Sequence, residues 1–156
     1  MAGVMVDFSF EHYYAGQGER KPSMVSCITD TDGRNPSSVI GAVRRGLPMR
    51  AYALLKDSLH KHDAEMGMLL NIQPRTLSRR KKEARLSPAE SDRVVRLARI
   101  TDAAISLFDD EQEAVAWLDR PLAILDEESP LQRASTDIGA REVENLIGRI
   151  EHGVFS

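Results

Sequence analysis

Gln73, Pro74, Arg75, Ser78, Arg79, Arg80, Lys81, Lys82 and Arg85 crowd into thirteen positions of the chain. This is chemistry for holding a polyanion rather than for making or breaking bonds. Arginine and lysine neutralise phosphates, while glutamine, serine and arginine hydrogen-bond base edges in a groove. On a helix opening at Pro74, Gln73, Arg75, Ser78 and Arg79 stand nearest the base edges, and Arg80, Lys81, Lys82 and Arg85 reach phosphates. The same run also fits a solvated basic helix of an ordinary helical domain, so the charges alone do not decide.

Residues for catalysis are missing from the pattern. His60 and His62 are two apart, so on a helix they share no face, and no carboxylate stands at the spacing of a zinc helix. Cys27 is the only cysteine; it excludes an internal disulfide and a multi-thiolate zinc site and has no nucleophile signature around it. Gly16-Gln17-Gly18 has neither a third glycine nor a helix start after it, so it is not a phosphate loop. The expectation is no enzyme, with no catalytic residue, metal ligand or cofactor.

What must position the basic face is a pair of short helices over residues 63–85. Gly67 allows close approach, Asn71 four residues later tolerates the left-handed conformation of a sharp turn, and Leu77 six further seals the pair. Met66, Leu70 and Ile72 complete the buried side. Pro74 then occupies the first helical position, where its missing N–H costs nothing. This spacing predicts a helix-turn-helix, with the second helix as the reader.

Around that motif the whole chain after Pro36 reads as helix, giving an all-α fold. Apolar residues make up 42% of the 156 residues, enough for a core. Ser37 and Ser38 offer an N-cap for a helix ending at Gly46, and Pro48 opens another whose stripe of Ala51, Leu54, Leu55 and Leu59 should pack on the helix-turn-helix. Ser87-Pro88-Ala89-Glu90 is a capping box before a long helix. Its apolar set, from Val94 to Phe108, is wide enough to pack on two sides, which puts the domain boundary near Ile100. Asp110 with Glu113, then Ser129 with Gln132, start two short helices, and a last one runs from about Asp137 to His152 on Val143, Leu146, Ile147 and Ile150. Trp117 and Leu118 belong to the core. The expected divisions are an irregular extension over 1–36, with Val4, Val6, Phe8 and Phe10 alternating like one strand, a DNA-binding domain over 37–99 and a second domain over 100–156.

The net charge of −3 hides a segregation. Basicity gathers before residue 86, whereas Asp102, Asp109, Asp110, Glu111, Glu113, Asp119, Asp126, Glu127 and Glu128 are offset nearby only by Arg120. Two surfaces with different partners fit this pattern, as do solubilising acids at helix ends. No stretch approaches the ~18 apolar residues of a membrane span, and residues 1–10 lack the regions of a secretory signal. The expected location is the cytoplasm, without membrane contact.

Specific identity comes from the second half. Ala114-Val115-Ala116-Trp117-Leu118-Asp119-Arg120-Pro121, Ser129-Pro130-Leu131, Gly139-Ala140-Arg141-Glu142-Val143 and Ile150-Glu151-His152-Gly153-Val154-Phe155 closely resemble the toxin-binding domain of the Xre/MbcA/ParS antitoxins. Arg75-Thr76-Leu77-Ser78-Arg79-Arg80 with Leu86-Ser87-Pro88-Ala89-Glu90-Ser91 resembles that family's Xre-like helix-turn-helix. The likeness covers about residues 45–156; Asn71 departs from it by replacing a frequent glycine.

The resemblance implies a type II antitoxin, a homodimer or higher oligomer, that binds a RES-domain toxin of the NAD-consuming kind and represses the shared operon at operator DNA. It further implies that the C-terminal end covers the toxin's active site. Arg141, Glu144, Arg149, Glu151, His152, Gly153, Val154, Phe155 and Ser156 are the residues placed for that contact. Read without the resemblance, Val154 and Phe155 fit a tail folded back on its own domain better than a plug; the resemblance reverses that order. A stand-alone regulator with a dimerising or sensing C-terminal half and a pure protein-binding adaptor are the competing functions. Dimerisation through the extension, the helix of the 50s or the C-terminal half stays open.

Overall fold

The computed structural model describes residues 21–153. The alternating stretch from Val4 to Phe10 lies outside them, as do Val154, Phe155 and Ser156. Among the described residues the regular structure is helical: α1 Met24–Thr29, α2 Pro36–Arg45, α3 Met49–Ser58, α4 Asp63–Leu70, α5 Pro74–Glu83, α6 Pro88–Phe108, α7 Glu111–Asp119, α8 Pro130–Arg133 and α9 Asp137–Glu151, with a 3₁₀ turn at Ala123–Leu125. Extended pairing is limited there to isolated bridges, Pro48 with Arg85 and Leu122 with Glu128.

The long helix α6 is the axis of the molecule. Ser87 accepts from the Glu90 N–H at 3.2 Å while the Glu90 carboxylate accepts from the Ser87 N–H at 2.8 Å, the reciprocal cap expected from the sequence. Val94, Leu97, Ala98, Ile100 and Ala104 are sealed from solvent along it. They join one continuous core that runs from Met24 and Ile28 through Leu55, Leu59 and Leu70 to Leu118, Val143 and Leu146. The two halves therefore share a core across α6, and the stripe of α3 packs on α1 and α6 more than on the reader helix.

The irregular extension expected through Pro36 needs correction at its end. Met24, Val25, Cys27 and Ile28 form α1 and are buried. Asp102 anchors it from α6, accepting from the Met24 N–H at 2.6 Å and the Val25 N–H at 3.0 Å. Asp102 thus leaves the acidic surface to which its position in the sequence assigned it, and burial pushes its carboxyl above the usual range despite those two donors. The cap of α2 also differs: Asn35, not Ser37 or Ser38, holds the first turn, accepting from the Ser37 N–H at 3.0 Å.

In the C-terminal half Asp110 caps α7, Ser129 and Gln132 form the second capping box, and Thr136 caps α9. Leu118 is fully buried, whereas Trp117 is only partly so, lying at the edge of the core against Phe108 with ring centroids 5.8 Å apart. Gly139 is required by packing: a Cβ there would stand 1.8 Å from the Arg133 carbonyl oxygen, so only glycine lets α9 start against α8.

Candidate functional site

The turn between α4 and α5 is built as its residue types demand. Asn71 sits at φ 50°, ψ 51°, the left-handed region that asparagine tolerates better than most side chains. Its N–H and that of Ile72 close back onto the Met68 and Gly67 carbonyls at 3.3 and 2.8 Å. Gly67 is small for a local reason: a Cβ would lie 2.9 Å from the Ile72 carbonyl, so it makes room for the turn itself. Gln73 takes the N-cap position and Pro74 the first helical one. Met66, Leu70, Ile72 and Leu77 are buried as expected.

Along residues 73–85 the polar side chains divide by their partners into two sets, although Lys81 and Arg85 are exposed as well. Gln73, Arg75, Ser78, Arg79 and Lys82 are exposed, with Arg79 tied only loosely to Glu83 at 3.8 Å. The others hold the fold. Arg80 donates from Nε to both Glu90 oxygens, at 3.1 and 2.8 Å, and from Nη1 to Glu83 at 2.9 Å. Lys81 pairs with Asp63, whose other oxygen accepts from the Tyr52 hydroxyl at 2.7 Å. Hydrogen bonds from Lys81 and Tyr52 hold the Asp63 carboxyl down at about 2. Burial, and then the hydrogen bond to Asp63, push the Tyr52 hydroxyl well above its ordinary value. Arg85 donates to the Gly46 carbonyl at 2.5 Å, closing the end of α2, and the Leu86 N–H donates to the Leu47 carbonyl at 2.8 Å beside it. The reader helix is thereby tied to α2, α3, α4 and α6.

The second surface is the outer side of α9. Arg141, Arg149, Glu151, His152 and Gly153 are exposed there; Arg141 meets Asp137 at 3.1 Å and the His152 ring donates from Nδ1 to the Gly148 carbonyl at 2.7 Å. Glu144 is instead paired with Arg99 of α6. One residue absent from the expected set stands out: Ile138 is 82% exposed. Its signal was legible, since it lies off the stripe formed by Val143, Leu146 and Ile147. The acidic region is also less uniform than its sequence. Lys61 meets Asp119 at 2.5 and 2.7 Å, and Arg133 reaches Asp126 at 3.1 Å and Glu142 at 2.7 Å.

Among the described residues no group of three or more potential ligands could hold a metal ion, and no helix is long and apolar enough to cross a membrane. Comparison with known proteins finds matches to both halves of the chain. Residues 38–99 match the antitoxin Xre-like helix-turn-helix domain, and residues 103–153 match the antitoxin Xre/MbcA/ParS C-terminal toxin-binding domain. Over 95 residues the chain is 43% identical to a protein named Antitoxin Xre from Yersinia enterocolitica, covering 60% of this chain and 64% of that one. Over 116 residues it is 34% identical to Antitoxin Xre from Photorhabdus laumondii, covering 73% of this chain and 78% of the relative. A Pseudomonas putida protein of the same name is 35% identical over 83 residues, 53% of this chain and 52% of its own length.

Proposed function

The chain belongs to the Xre/MbcA/ParS antitoxin family, a helix-turn-helix joined to a toxin-binding domain, and we propose on that ground that it inhibits a RES-type, NAD-consuming toxin and represses its own operon. It works by binding rather than by catalysis, in the cytoplasm, as a homodimer or larger assembly on paired half-sites. Gln73, Arg75, Ser78 and Arg79 read base edges and Lys82 reaches phosphate; Arg80, Lys81 and Arg85 act mainly by holding α5. Residues 149–156 enter the toxin's active-site cleft. The observation that carries this reading is one chain holding two open faces, the exposed side of α5 and the far end of α9, inside the two matched regions.

Two measurements test it. Arg75→Ala and Arg79→Ala should each weaken binding to the upstream operator, by about 1–3 kcal/mol for a base contact, and unchanged affinity refutes the groove assignment. Lys82→Ala should lower the salt slope by roughly one unit. Deleting Gly153 to Ser156 should abolish neutralisation of the toxin encoded beside this gene; full neutralisation by the truncated chain sinks the plugging mechanism.

A further inference from the structure

The outer face of α9 carries a stripe that the fold does not use. At ~3.6 residues per turn Ile138, Asn145 and Arg149 lie nearly in line, with Arg141 one row to the side. Together with Asp137 and Glu142 they line one shallow hollow. Ile138 is the most exposed large apolar side chain among the described residues, at 82%, although Val143, Leu146 and Ile147 of the same helix are buried. A branched aliphatic turned to water does nothing for this chain's own core.

Gly148 gives a second, independent sign. It sits inside α9, where glycine weakens a helix, and a Cβ there would meet nothing within 4 Å. Gly139 is required by the Arg133 carbonyl, whereas nothing described in this chain requires Gly148. Three residues beyond Asn145 and seven beyond Arg141, it lies on the flank of the stripe. Its missing side chain leaves space for a backbone that arrives from outside.

We infer that this stripe is the toxin's docking face: Ile138 seats in an apolar notch of the toxin, Gly148 lets the toxin's backbone close on the helix, and Arg141 and Arg149 meet carboxylates at the rim. The inference rests on the toxin-binding reading above and divides its labour. From Ile138 to Glu151 the helix axis advances ~20 Å, so the Ile138 anchor and the plugging tail stand at opposite ends of α9, with Gly148 and Arg149 where the two contacts meet. The stripe lies within residues 103–153, which match a toxin-binding domain, and its cations are open: Arg149 has no ion pair within 4 Å among the described residues, only the weaker field of Glu142, and Arg141 has only the exposed Asp137. Glu142 is occupied by Arg133 and is less available to repel an acidic rim.

The test uses the full chain and the toxin encoded beside its gene, with affinity measured by calorimetry and toxin inhibition by NAD consumption. Ile138→Asp should weaken toxin binding at least thirtyfold, the effect of losing a buried interface anchor, while leaving the circular dichroism and operator affinity unchanged. Gly148→Ala should melt higher than the parent chain yet bind toxin at least several-fold more weakly. Deleting Gly153 to Ser156 should leave most of the affinity and remove the inhibition. If Ile138→Asp and Gly148→Ala bind within twofold of the parent while the deletion still abolishes inhibition, the docking face is overturned and the plugging reading stands. If Ile138→Asp instead splits a dimer of the free chain with toxin affinity intact, the stripe belongs to a second copy and the inference falls. A parent chain that does not bind the toxin overturns both.

Discussion

Replacing Glu90 by alanine should unfasten the reader helix without touching its outward face. Glu90 is 5% exposed, and its carboxylate takes both the Arg80 guanidinium and the Ser87 N–H. Burial alone would raise its pKa, but hydrogen bonds from Arg80 and Ser87 hold it below the ordinary glutamate value. Removing one partner of a buried, hydrogen-bonded ion pair costs about 3–5 kcal/mol. Arg80 keeps Glu83 at 2.9 Å and its side chain is 19% exposed, so the lower end applies to that part. Loss of half the capping box adds about 0.5–1 kcal/mol, for a total of about 3–4 kcal/mol. At ~2–4 °C per kcal/mol for a chain of this size, the melting temperature should fall by roughly 6–16 °C.

Urea unfolding followed by circular dichroism at pH 7 measures this directly. Glu90→Gln, which keeps the shape and one acceptor, should lose about half as much. Arg80→Ala should be comparably destabilising, and the double variant should show coupling of at least about 1 kcal/mol, as contacting partners do. The salt dependence of operator binding separates the two roles of Arg80. If Arg80→Ala lowers the slope by a full unit while stability is unchanged, Arg80 is a phosphate contact and the clamp argument is wrong.

Two further predictions concern the supporting structure. Asp63 has its folded pKa depressed to about 2, so its contribution is present above the unfolded value near 4 and is lost as pH falls through 2. Its side chain is 39% exposed, so screening reduces that contribution to about 1 kcal/mol; Asp63→Asn should be less stable than the parent at pH 7 and converge on it as pH falls through and below about 2, and a pH-independent difference would contradict the network. Gly139→Ala should cost more than about 3 kcal/mol, because a Cβ 1.8 Å from a backbone oxygen forces α8 and α9 apart; soluble protein with a normal melting temperature would refute it.

Local signals carried most of the fold. Asn71 before Gln73-Pro74, Ser87 with Glu90 and Ser129 with Gln132 each announce a helix end within four residues, because a cap is made by neighbours in the chain. Contacts between distant parts left no such trace. Nothing near Met24 announces that Asp102, 78 residues on, caps α1. Likewise the partners of Arg80, Lys81 and Arg85 come from α6, α4 and the end of α2, which only tertiary packing brings around α5. A charged run gives composition, whereas the side on which each charge is spent is fixed by tertiary packing. Ile138 is hard to place for the opposite reason: an apolar residue off the buried stripe has a periodicity that says "outside" but a type that says "inside".

The continuous core across α6 has a consequence for the protein's lifetime. Melting either half would expose apolar surface of the other, so the chain should unfold as a unit. A partner bound only at the far end of α9 then also protects the reader helix, by RT ln(1 + [L]/Kd), about 2.7 kcal/mol when the partner exceeds its dissociation constant a hundredfold. The amount of folded chain is in this way tied to the amount of any partner held at α9, with no contact between that partner and α5.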